Sequence, residues 1–298
     1  MDIRNVTVFG SGVLGGQIAF QTAFHGFAVT VYDLNEALLD KVKSRFGTLG
    51  ELYGRDLGAT SAQIDAAMQR LTYTTDMAEA VRDADLAVEA IPENVQIKTD
   101  FYRQLGRVAP EKTIFATNSS TLLPSQFADA TGRPDRFLAL HFANNIWKQN
   151  TAEIMGHPGT DPVVFDTVVQ FARAIGMVAL PIYKEQPGYI LNSLLVPFLR
   201  AALELYVKGV AEPETIDKTW MIATGAPTGP FAIYDVVGLT TAYNITLKNA
   251  EAAGDADMLR AAELLKERFI DQGKLGVQTG QGFYSYPNPL YQQPDFLT

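Results

Sequence analysis

The segment NVTVFGSGVLGGQIAFQTAFHGFAVTVYD, residues 5–33, decides the fold of this chain. Two short apolar runs, 5–10 and 28–33, flank a glycine-rich turn and a helical pattern over 13–25. A histidine, His25, and then Gly26 follow the last apolar turn, as is usual at the end of a helix. The order strand, turn, helix, strand predicts a β-α-β unit, the building block of a parallel sheet.

The glycine spacing of this turn is typical of a dinucleotide site. Gly10 permits a sharp turn out of the first strand, Gly12 lets a pyrophosphate approach the backbone, and Gly15 lets the helix pack close to the strand. The free N–H groups at the start of the helix attract phosphate. The residues of this turn that are predicted to belong to the cofactor site are Gly10, Gly12, Val13, Leu14 and Gly15.

The second strand ends at an acid, Asp33. A carboxylate at this place can accept hydrogen bonds from the ribose hydroxyls of an adenosine, and it repels a 2′-phosphate. No Arg follows at once that could bind such a phosphate. These features favour NAD over NADP. A methyltransferase of similar topology is the chemical alternative, and a plain glycine-rich turn with a surface Asp is the structural one.

The composition excludes several classes of protein. The chain has 298 residues, no cysteine and a formal net charge of −9. The length favours two domains, and the lack of cysteine excludes disulfides, thiolate metal sites and cysteine nucleophiles. The sequence has no cluster of Lys and Arg of the kind that binds nucleic acid. It also shows no run of about 18 apolar residues that would span a membrane and no pattern of a signal peptide. We therefore expect a cytoplasmic protein that binds neither nucleic acid nor membrane and holds no metal.

Eight apolar runs extend from residue 5 to residue 182, with helical patterns between most of them. This alternation predicts a mostly parallel sheet covered by helices on both faces, which is a doubly wound α/β fold of the Rossmann type. The predicted strands are 5–10, 28–33, 70–75, 85–91, 113–118, 137–142, 151–156 and 177–182.

After Pro187-Gly188 the pattern is almost entirely helical as far as residue 272. The turn chemistry and the loss of strands place a domain boundary here. We predict an NAD-binding α/β domain over residues 1–186 and an all-α C-terminal domain over residues 187–298. Residues 287–298 are predicted to form an irregular tail.

His141 is the best candidate for a residue that moves a proton. It follows FLAL near the expected carboxyl edge of the sheet, where ligands of open α/β sheets bind. Glu153 lies in the next predicted strand, and a carboxylate beside an imidazole fixes its tautomer. If the intervening loop folds back, the two side chains meet. From the residues alone, a packed and hydrogen-bonded histidine is an equal alternative.

Two further polar positions have both a functional and a structural interpretation. The hydroxyls of TNSST, residues 117–121, could bind a substrate oxygen, but helix capping before Pro124 is the simpler explanation. Asn192 stands within an apolar helical pattern, so its amide needs a partner, either in the protein or in a substrate.

Together, these segments resemble the 3-hydroxyacyl-CoA dehydrogenase family over nearly the whole chain. The matching segments are VFGSGVLGGQIA, EAIPEN, ATNSSTL, LHF-x-N with the glutamate of AEIM, PGYILNSLLVPFL and GKLGVQTGQGFYSY. Within the family, QNTAE and DKTW-x-I-x-TGAP-x-GPF are most similar to members that reduce diketo esters with NADH. The resemblance implies an NAD-dependent oxidoreductase, a role in fatty acid metabolism, and a homodimer formed through the C-terminal domain.

The resemblance also implies a role for each matching residue. His141 would be the general base in alcohol oxidation and the acid in ketone reduction, with Glu153 orienting it. Ser120 and Asn192 would hydrogen-bond the reacting oxygen. The residues implied at the cofactor are Asp33 at the adenosine ribose, Glu93, Lys98 and Asn144 at the nicotinamide half, and Lys274.

The chain departs from the family's pattern at two places that bear on the substrate. Most members read HFFNP-x-P-x-MK after the histidine strand, whereas this chain reads HFANNIWKQN. Trp147 in that loop either lines the substrate pocket or is simply packed. The arm after Asp33 meets CoA phosphates through basic residues in the family, but here 46–58 carries only Arg55, with Arg45 just before it.

The first interpretation of function is therefore the interconversion of 3-hydroxyacyl-CoA and 3-ketoacyl-CoA by hydride transfer. The alternative is an NADH-dependent reductase of β-keto or β,δ-diketo esters and acids that carry no CoA. A dinucleotide-binding protein without catalysis is the third hypothesis, and the joint presence of Ser120, His141, Glu153 and Asn192 disfavours it.

Overall fold

The computed structural model describes residues 2–298. The chain divides into a first compact unit that ends at Ile190 and a second over Leu191–Thr298. The predicted domain boundary at residues 186–187 lies close to this division, and the separate functions assigned to the two domains remain predictions.

The first unit is built on one eight-stranded sheet. Its strands are β1 Asn5–Phe9, β2 Ala28–Tyr32, β3 Leu71–Thr74, β4 Leu86–Glu89, β5 Ile114–Thr117, β6 Phe137–Phe142, β7 Thr151–Met155 and β8 Val178–Ile182. Their order in the sheet is β3-β2-β1-β4-β5-β6-β7-β8. The strands are parallel except that β7 runs antiparallel to β6, with β8 parallel to β7. The predicted α/β fold with a mostly parallel sheet is thus confirmed.

Six helices accompany the sheet: α1 Val13–Phe24, α2 Glu36–Leu57, α3 Ser61–Met68, α4 Met77–Val81, α5 Val95–Val108 and α6 Pro162–Ala174. Their starts follow local sequence signals. Asn35 and Asn94 accept backbone hydrogen bonds at the starts of α2 and α5, and Asp161 does so before Pro162 in α6.

Both faces of the sheet are buried, as the apolar strands require. On one face, Val8 and Val31 pack in a core with Ile18 of α1. On the other face, Phe9 and Phe115 pack with residues of α4 and α5. A parallel sheet enclosed in this way leaves the carboxyl ends of its strands as the place where polar side chains can gather.

The second unit is helical, with α8 Pro213–Thr224, α9 Pro230–Val237, α10 Leu239–Ala253 and α11 Ala256–Arg268 following most of α7 Tyr189–Val207. Two buried carboxylates join its segments. Asp217 accepts hydrogen bonds from the backbone of Phe231 and Ala232, and Asp235 accepts them from the backbone of Phe283 and Tyr284. These bonds connect the closing segment of the chain to the helices.

Among residues 2–298, α7 is the one helix whose length and composition would let it cross a membrane. The sequence shows no unbroken apolar run here, because Asn192, Ser193 and Pro197 interrupt it, but the mean hydropathy of the helix is high, so the absence of a membrane span stays a prediction. A single helix of this kind is weak evidence for membrane binding, because helices that pack against other helices pass the same test.

Candidate active site

The glycine-rich turn joins β1 to α1 at the carboxyl end of β1. β1 lies between β2 and β4, where the order of the sheet changes direction. Gly10 has a φ of 93°, and a Cβ on Gly15 would lie 1.9 Å from the Gly10 carbonyl oxygen. Only glycine therefore lets α1 start so close to the strand, whereas a Cβ on Gly12 would meet nothing within 4 Å.

The start of α1 fits a phosphate group. The helix begins at Val13 and no side chain caps its first turn. The first N–H groups of a helix have no partner within the helix and carry partial positive charge. Together with the open space beside Gly12, this end of α1 fits the pyrophosphate of NAD.

Asp33 follows β2 and is tied to the same turn. Its Oδ2 accepts hydrogen bonds from the backbone N–H and the hydroxyl of Ser11, at 2.7 and 2.6 Å, and its Oδ1 accepts one from Leu34. Arg45 of α2 donates to the Ser11 carbonyl at 3.0 Å. Each carboxylate oxygen has more than one lone pair, so Asp33 can still accept a hydrogen bond from a ribose hydroxyl.

His141 and Glu153 meet across β6 and β7. They are directly paired in the antiparallel register, and His141 Nδ1 lies 2.9 Å from Glu153 Oε2. Both side chains are buried. An ionised carboxylate only accepts hydrogen bonds, so Nδ1 carries the proton and Nε2 of the neutral ring is the atom that can accept one. Nε2 lies 3.2 Å from the Ser120 hydroxyl.

The first residues of α7 contact the same pair. The Tyr189 ring stacks on the imidazole of His141, with a centroid distance of 4.5 Å. The backbone N–H of Ile190 donates to Glu153 Oε1 at 2.9 Å. Glu153 therefore accepts a hydrogen bond on each of its oxygens, one from the imidazole and one from the backbone.

Ser120 stands in a turn that Glu93 holds together. Glu93 Oε1 accepts hydrogen bonds from the Ser119 and Thr121 hydroxyls and from the backbone N–H groups of Ser120 and Thr121. The hydroxyls of Thr117, Ser119 and Thr121 thus have a structural role, but none of them caps the 3-10 turn Pro124–Gln126 as the capping alternative expected. The Ser120 hydroxyl instead reaches His141.

Glu93 is ionised at neutral pH by this arrangement. Burial alone would raise its pKa, but the hydrogen bond from Ser119, the charge of Lys98 and the bonds from Thr121 outweigh burial and lower the pKa. Glu93 is therefore an anchor of the Ser120 turn, and its implied contact with nicotinamide stays a prediction.

A buried network behind this turn was not predicted. Lys98 is almost fully buried; its Nζ donates to Glu89 and lies 3.5 Å from Glu93. The other oxygen of Glu89 accepts from Tyr102 and Thr117. Lys98 is thus held between two carboxylates, and its implied contact with the cofactor stays a prediction. The missed signal was Glu89 itself, an acid inside the apolar strand DLAVEAI.

Three hydrogen bonds from its central residues hold the loop over residues 143–150 in place. The Gln17 side chain accepts hydrogen bonds from the backbone of Asn145 and Ile146. Trp147 is buried, and its indole N–H donates to Asp56 Oδ2 at 2.9 Å. The structure therefore favours the packed alternative for Trp147, whereas Asn144 is exposed on the same loop.

Two implied site residues belong to the second unit. Asn192 lies near the start of α7 and is half-buried, and Lys274 follows a short 3-10 turn after α11. Their implied contacts with substrate and cofactor stay predictions. Among residues 2–298, no group of three or more His, Asp or Glu side chains is arranged to hold a metal ion.

Two family models match this chain in succession. The model described as "3-hydroxyacyl-CoA dehydrogenase, NAD binding domain" matches residues 5–186, and "3-hydroxyacyl-CoA dehydrogenase, C-terminal domain" matches residues 188–286. Human mitochondrial hydroxyacyl-coenzyme A dehydrogenase is 35% identical, over 95% of this chain and 91% of the relative. A probable 3-hydroxybutyryl-CoA dehydrogenase of Deinococcus radiodurans is 34% identical, over 94% and 99%.

Solved structures are similar over the same span. A diketoreductase, described as catalysing reactions of dicarbonyl compounds, is 57% identical with a TM-score of 0.92, over 96% of this chain and 100% of that chain. The (S)-3-hydroxybutyryl-CoA dehydrogenase of Ralstonia eutropha is 27% identical with a TM-score of 0.83, over 96% and 100%.

Proposed function

Since this chain belongs to the 3-hydroxyacyl-CoA dehydrogenase family, we propose that it reduces the β-carbonyl of a small β-dicarbonyl compound, and oxidises the matching 3-hydroxy compound, with His141 moving the proton. As a member of this family, the protein is an NAD-dependent oxidoreductase that acts on CH–OH groups. The observation that carries the assignment of roles is the buried pair of His141 and Glu153 beside the Ser120 hydroxyl.

His141 handles one proton in each direction. During reduction, Nε2 of the imidazolium donates a proton to the carbonyl oxygen, and during oxidation Nε2 of the neutral ring takes the proton of the hydroxyl. Glu153 keeps Nδ1 protonated and stabilises the charged ring, so that Nε2 is the only nitrogen that exchanges. The bond from Ile190 to the other oxygen of Glu153 fixes the carboxylate in this orientation.

The Ser120 hydroxyl lies beside Nε2, the nitrogen of His141 that exchanges the proton. Its hydroxyl can donate to the reacting oxygen while negative charge develops there, which stabilises alkoxide character in the transition state. Glu93 fixes the backbone at Ser120 and so fixes the direction of that hydroxyl. Asn192 is proposed as a second donor to the same oxygen, by its match to the family's motif.

The glycine-rich turn, α1 and Asp33 are proposed to hold NAD. NAD supplies the hydride acceptor for oxidation, and NADH supplies the hydride for reduction. The start of α1 binds the pyrophosphate, and Asp33 accepts from the adenosine ribose and repels a 2′-phosphate.

The charges near the arm favour a substrate without CoA. Arg45 donates to the Ser11 carbonyl, and Arg55 is paired with Asp56. The hydrogen bonds from Arg55 and Trp147 lower the pKa of Asp56, so Asp56 is ionised and neutralises Arg55, which weakens the attraction of this position for a phosphate. The 57% identity with diketoreductase supports the same preference. An acyl-CoA substrate is the second candidate, because the human and Deinococcus relatives are named for CoA thioesters.

One comparison of substrates tests this choice. NADH oxidation, followed by absorbance, is measured with acetoacetyl-CoA and with a β,δ-diketo ester, each over a range of concentrations. We expect the higher kcat/KM with the diketo ester. A higher kcat/KM with acetoacetyl-CoA would assign the CoA substrate instead. NADH binding without turnover of either compound would support a non-catalytic protein.

The apolar residues of α7 are proposed to form a homodimer surface. Leu191 and Leu194 are exposed there, and Leu194 is 69% accessible in the isolated chain. Ile190 is exposed beside them, and contiguous exposed apolar surface of this kind is one mark of a protein–protein contact. We expect the wild type to sediment as a dimer and Leu194→Asp to sediment as a monomer. A monomeric wild type would contradict the proposal.

The cytoplasmic location expected from the sequence also stays a prediction, because the human relative is named mitochondrial.

A further inference from the structure

The face of the His141 imidazole is covered by an aromatic ring. Tyr189 stacks on it with ring centroids 4.5 Å apart and an angle of 20° between the planes. Tyr189 is 1% accessible and packs in a small apolar cluster with Ala139, Met155 and Ile182. Ala139 and Met155 are in β6 and β7, the strands that carry His141 and Glu153, so the ring is held by the same part of the sheet as the catalytic pair.

The backbone at Tyr189 has an unusual conformation. Of the non-glycine residues among 2–298, only Asn145 and Tyr189 have a positive φ, and Tyr189 has a φ of 56°. It follows Gly188, which has a φ of 80°, and its N–H donates to the Gln186 carbonyl. A bulky side chain rarely occupies this region of backbone space unless the surroundings fix it there. The turn therefore places this ring against the sheet at a cost in backbone energy.

The hydrogen bond between His141 and Glu153 does not fix the imidazole by itself. Nε2 also contacts the Ser120 hydroxyl at 3.2 Å, but in the proposed reaction that hydroxyl donates to the substrate oxygen. The bond at Nδ1 alone then leaves the ring able to tilt about the line from Nδ1 to the carboxylate oxygen, which moves Nε2 away from the Ser120 side. A flat ring stacked on one face of the imidazole blocks the tilt toward that face. The electron-rich face of an aromatic ring also favours a cation beside it, so the stack suits the imidazolium as well as the neutral ring.

We propose that Tyr189 is a positioning residue that holds His141 Nε2 in line with the reacting oxygen. Its ring fixes the imidazole, while the next residue, Ile190, fixes Glu153 through its backbone N–H. The start of α7 thus orients both members of the pair. This inference rests on the proposed function, because it assigns Tyr189 to the support of His141 as the proton-moving residue.

Steady-state kinetics and NMR of three variants test the proposal. Tyr189→Leu removes the stack, Tyr189→Phe restores an aromatic ring without the hydroxyl, and Phe171→Leu is the matched control. Phe171 is a buried aromatic residue of the same unit that packs on Phe27. The reaction is followed with NADH and whichever of acetoacetyl-CoA or the diketo ester the wild type uses better.

The expected kinetics distinguish a loss of His141 orientation from a general loss of stability. Tyr189→Leu lowers kcat by about 10- to 100-fold while KM for NADH stays within about twofold, since displacing a catalytic group costs turnover. Tyr189→Phe recovers most of that loss, and Phe171→Leu lowers the melting temperature without a comparable loss of kcat. Full turnover in Tyr189→Leu overturns the proposal, as does a failure of Tyr189→Phe to recover turnover.

The NMR result does not depend on turnover. The chain has three histidines, so the imidazole proton signals of His141 are identified by their loss in His141→Gln. A stacked ring shifts these signals upfield, and we expect the shift to be kept in Tyr189→Phe and lost in Tyr189→Leu. Unchanged signals in Tyr189→Leu would overturn the stack. Normal turnover in His141→Ala would instead overturn the proposed function, which separates the two failures.

Discussion

His141 and Glu153 face each other in register across the antiparallel strands β6 and β7, and His141 Nδ1 lies 2.9 Å from Glu153 Oε2. Because the strands run in opposite directions, residues twelve positions apart in the chain become direct neighbours on one face of the sheet. The pair is therefore set by the backbone of two buried strands, which is more rigid than a pair set by flexible loops.

Replacing Glu153 by Gln keeps the shape of the side chain but removes its charge. The amide cannot stabilise the imidazolium and can present its NH₂ group to Nδ1, which favours the wrong tautomer. We expect turnover to fall about 100-fold or more while the Kd for NADH changes little. Steady-state rates and fluorescence titration with NADH check this. Glu111→Gln, at an exposed position of the same unit, is the control and should keep normal turnover.

Replacing Asp33 by Ala should weaken the cofactor and spare the chemistry. The lost hydrogen bonds from ribose hydroxyls to a carboxylate correspond to roughly 10- to 100-fold in the Kd for NADH. Discrimination against NADPH should fall at the same time, because the charge that repels its 2′-phosphate is gone. Calorimetric titration of both nucleotides measures this. Asp40→Ala, which removes an exposed acid from α2, should leave both affinities unchanged, and equal affinities in Asp33→Ala and wild type would contradict the ribose assignment.

The stability contributed by Glu93 should depend on pH in a defined direction. Its pKa is lowered in the folded protein, so its contribution is fully present above the unfolded pKa of about 4.3 and is lost as the pH falls through the folded value. Glu93→Gln should therefore be less stable than wild type at pH 7, and the difference should shrink as the pH falls below about 4.3. Urea unfolding at several pH values measures it. A difference that grows in acid would show that Glu93 is not held ionised.

Trp147→Phe tests the anchor of the loop over residues 143–150. Phenylalanine keeps most of the packing against Tyr53 but cannot donate to Asp56. We expect faster amide hydrogen exchange in residues 143–150 and a lower kcat/KM, because this loop joins the strands of His141 and Glu153. Trp220→Phe in the second unit is the control, with no change expected in the exchange of that loop. Unchanged exchange in Trp147→Phe would mean that packing alone fixes the loop.

The sequence predicted the strands well because each is a short buried run bounded by turn residues. It did not predict that β7 reverses direction, since a strand buried on both faces has the same apolar pattern in either orientation. The length of the connection between β6 and β7 indicates the reversal, because residues 143–150 are too few for a helical crossover between parallel strands.

At the site, the sequence indicated which residue types could do the chemistry, and the pairing of His141 with Glu153 is present as expected. It could not indicate what supports them. Glu89, Lys98 and Tyr189 act through tertiary contacts between separated elements, and such contacts leave little local pattern. Tyr189 had one local sign, an aromatic residue directly after Pro187-Gly188, where a tight turn forces unusual backbone angles.

The turnover of His141→Ala, measured together with its affinity for NADH, tests the central claim most directly. We expect the affinity to stay within about twofold of wild type while turnover falls about 100-fold or more, because alanine leaves the nucleotide site intact and removes the group that exchanges the proton. Near-normal turnover in a variant that still binds NADH would contradict the claim that His141 carries out the proton transfer.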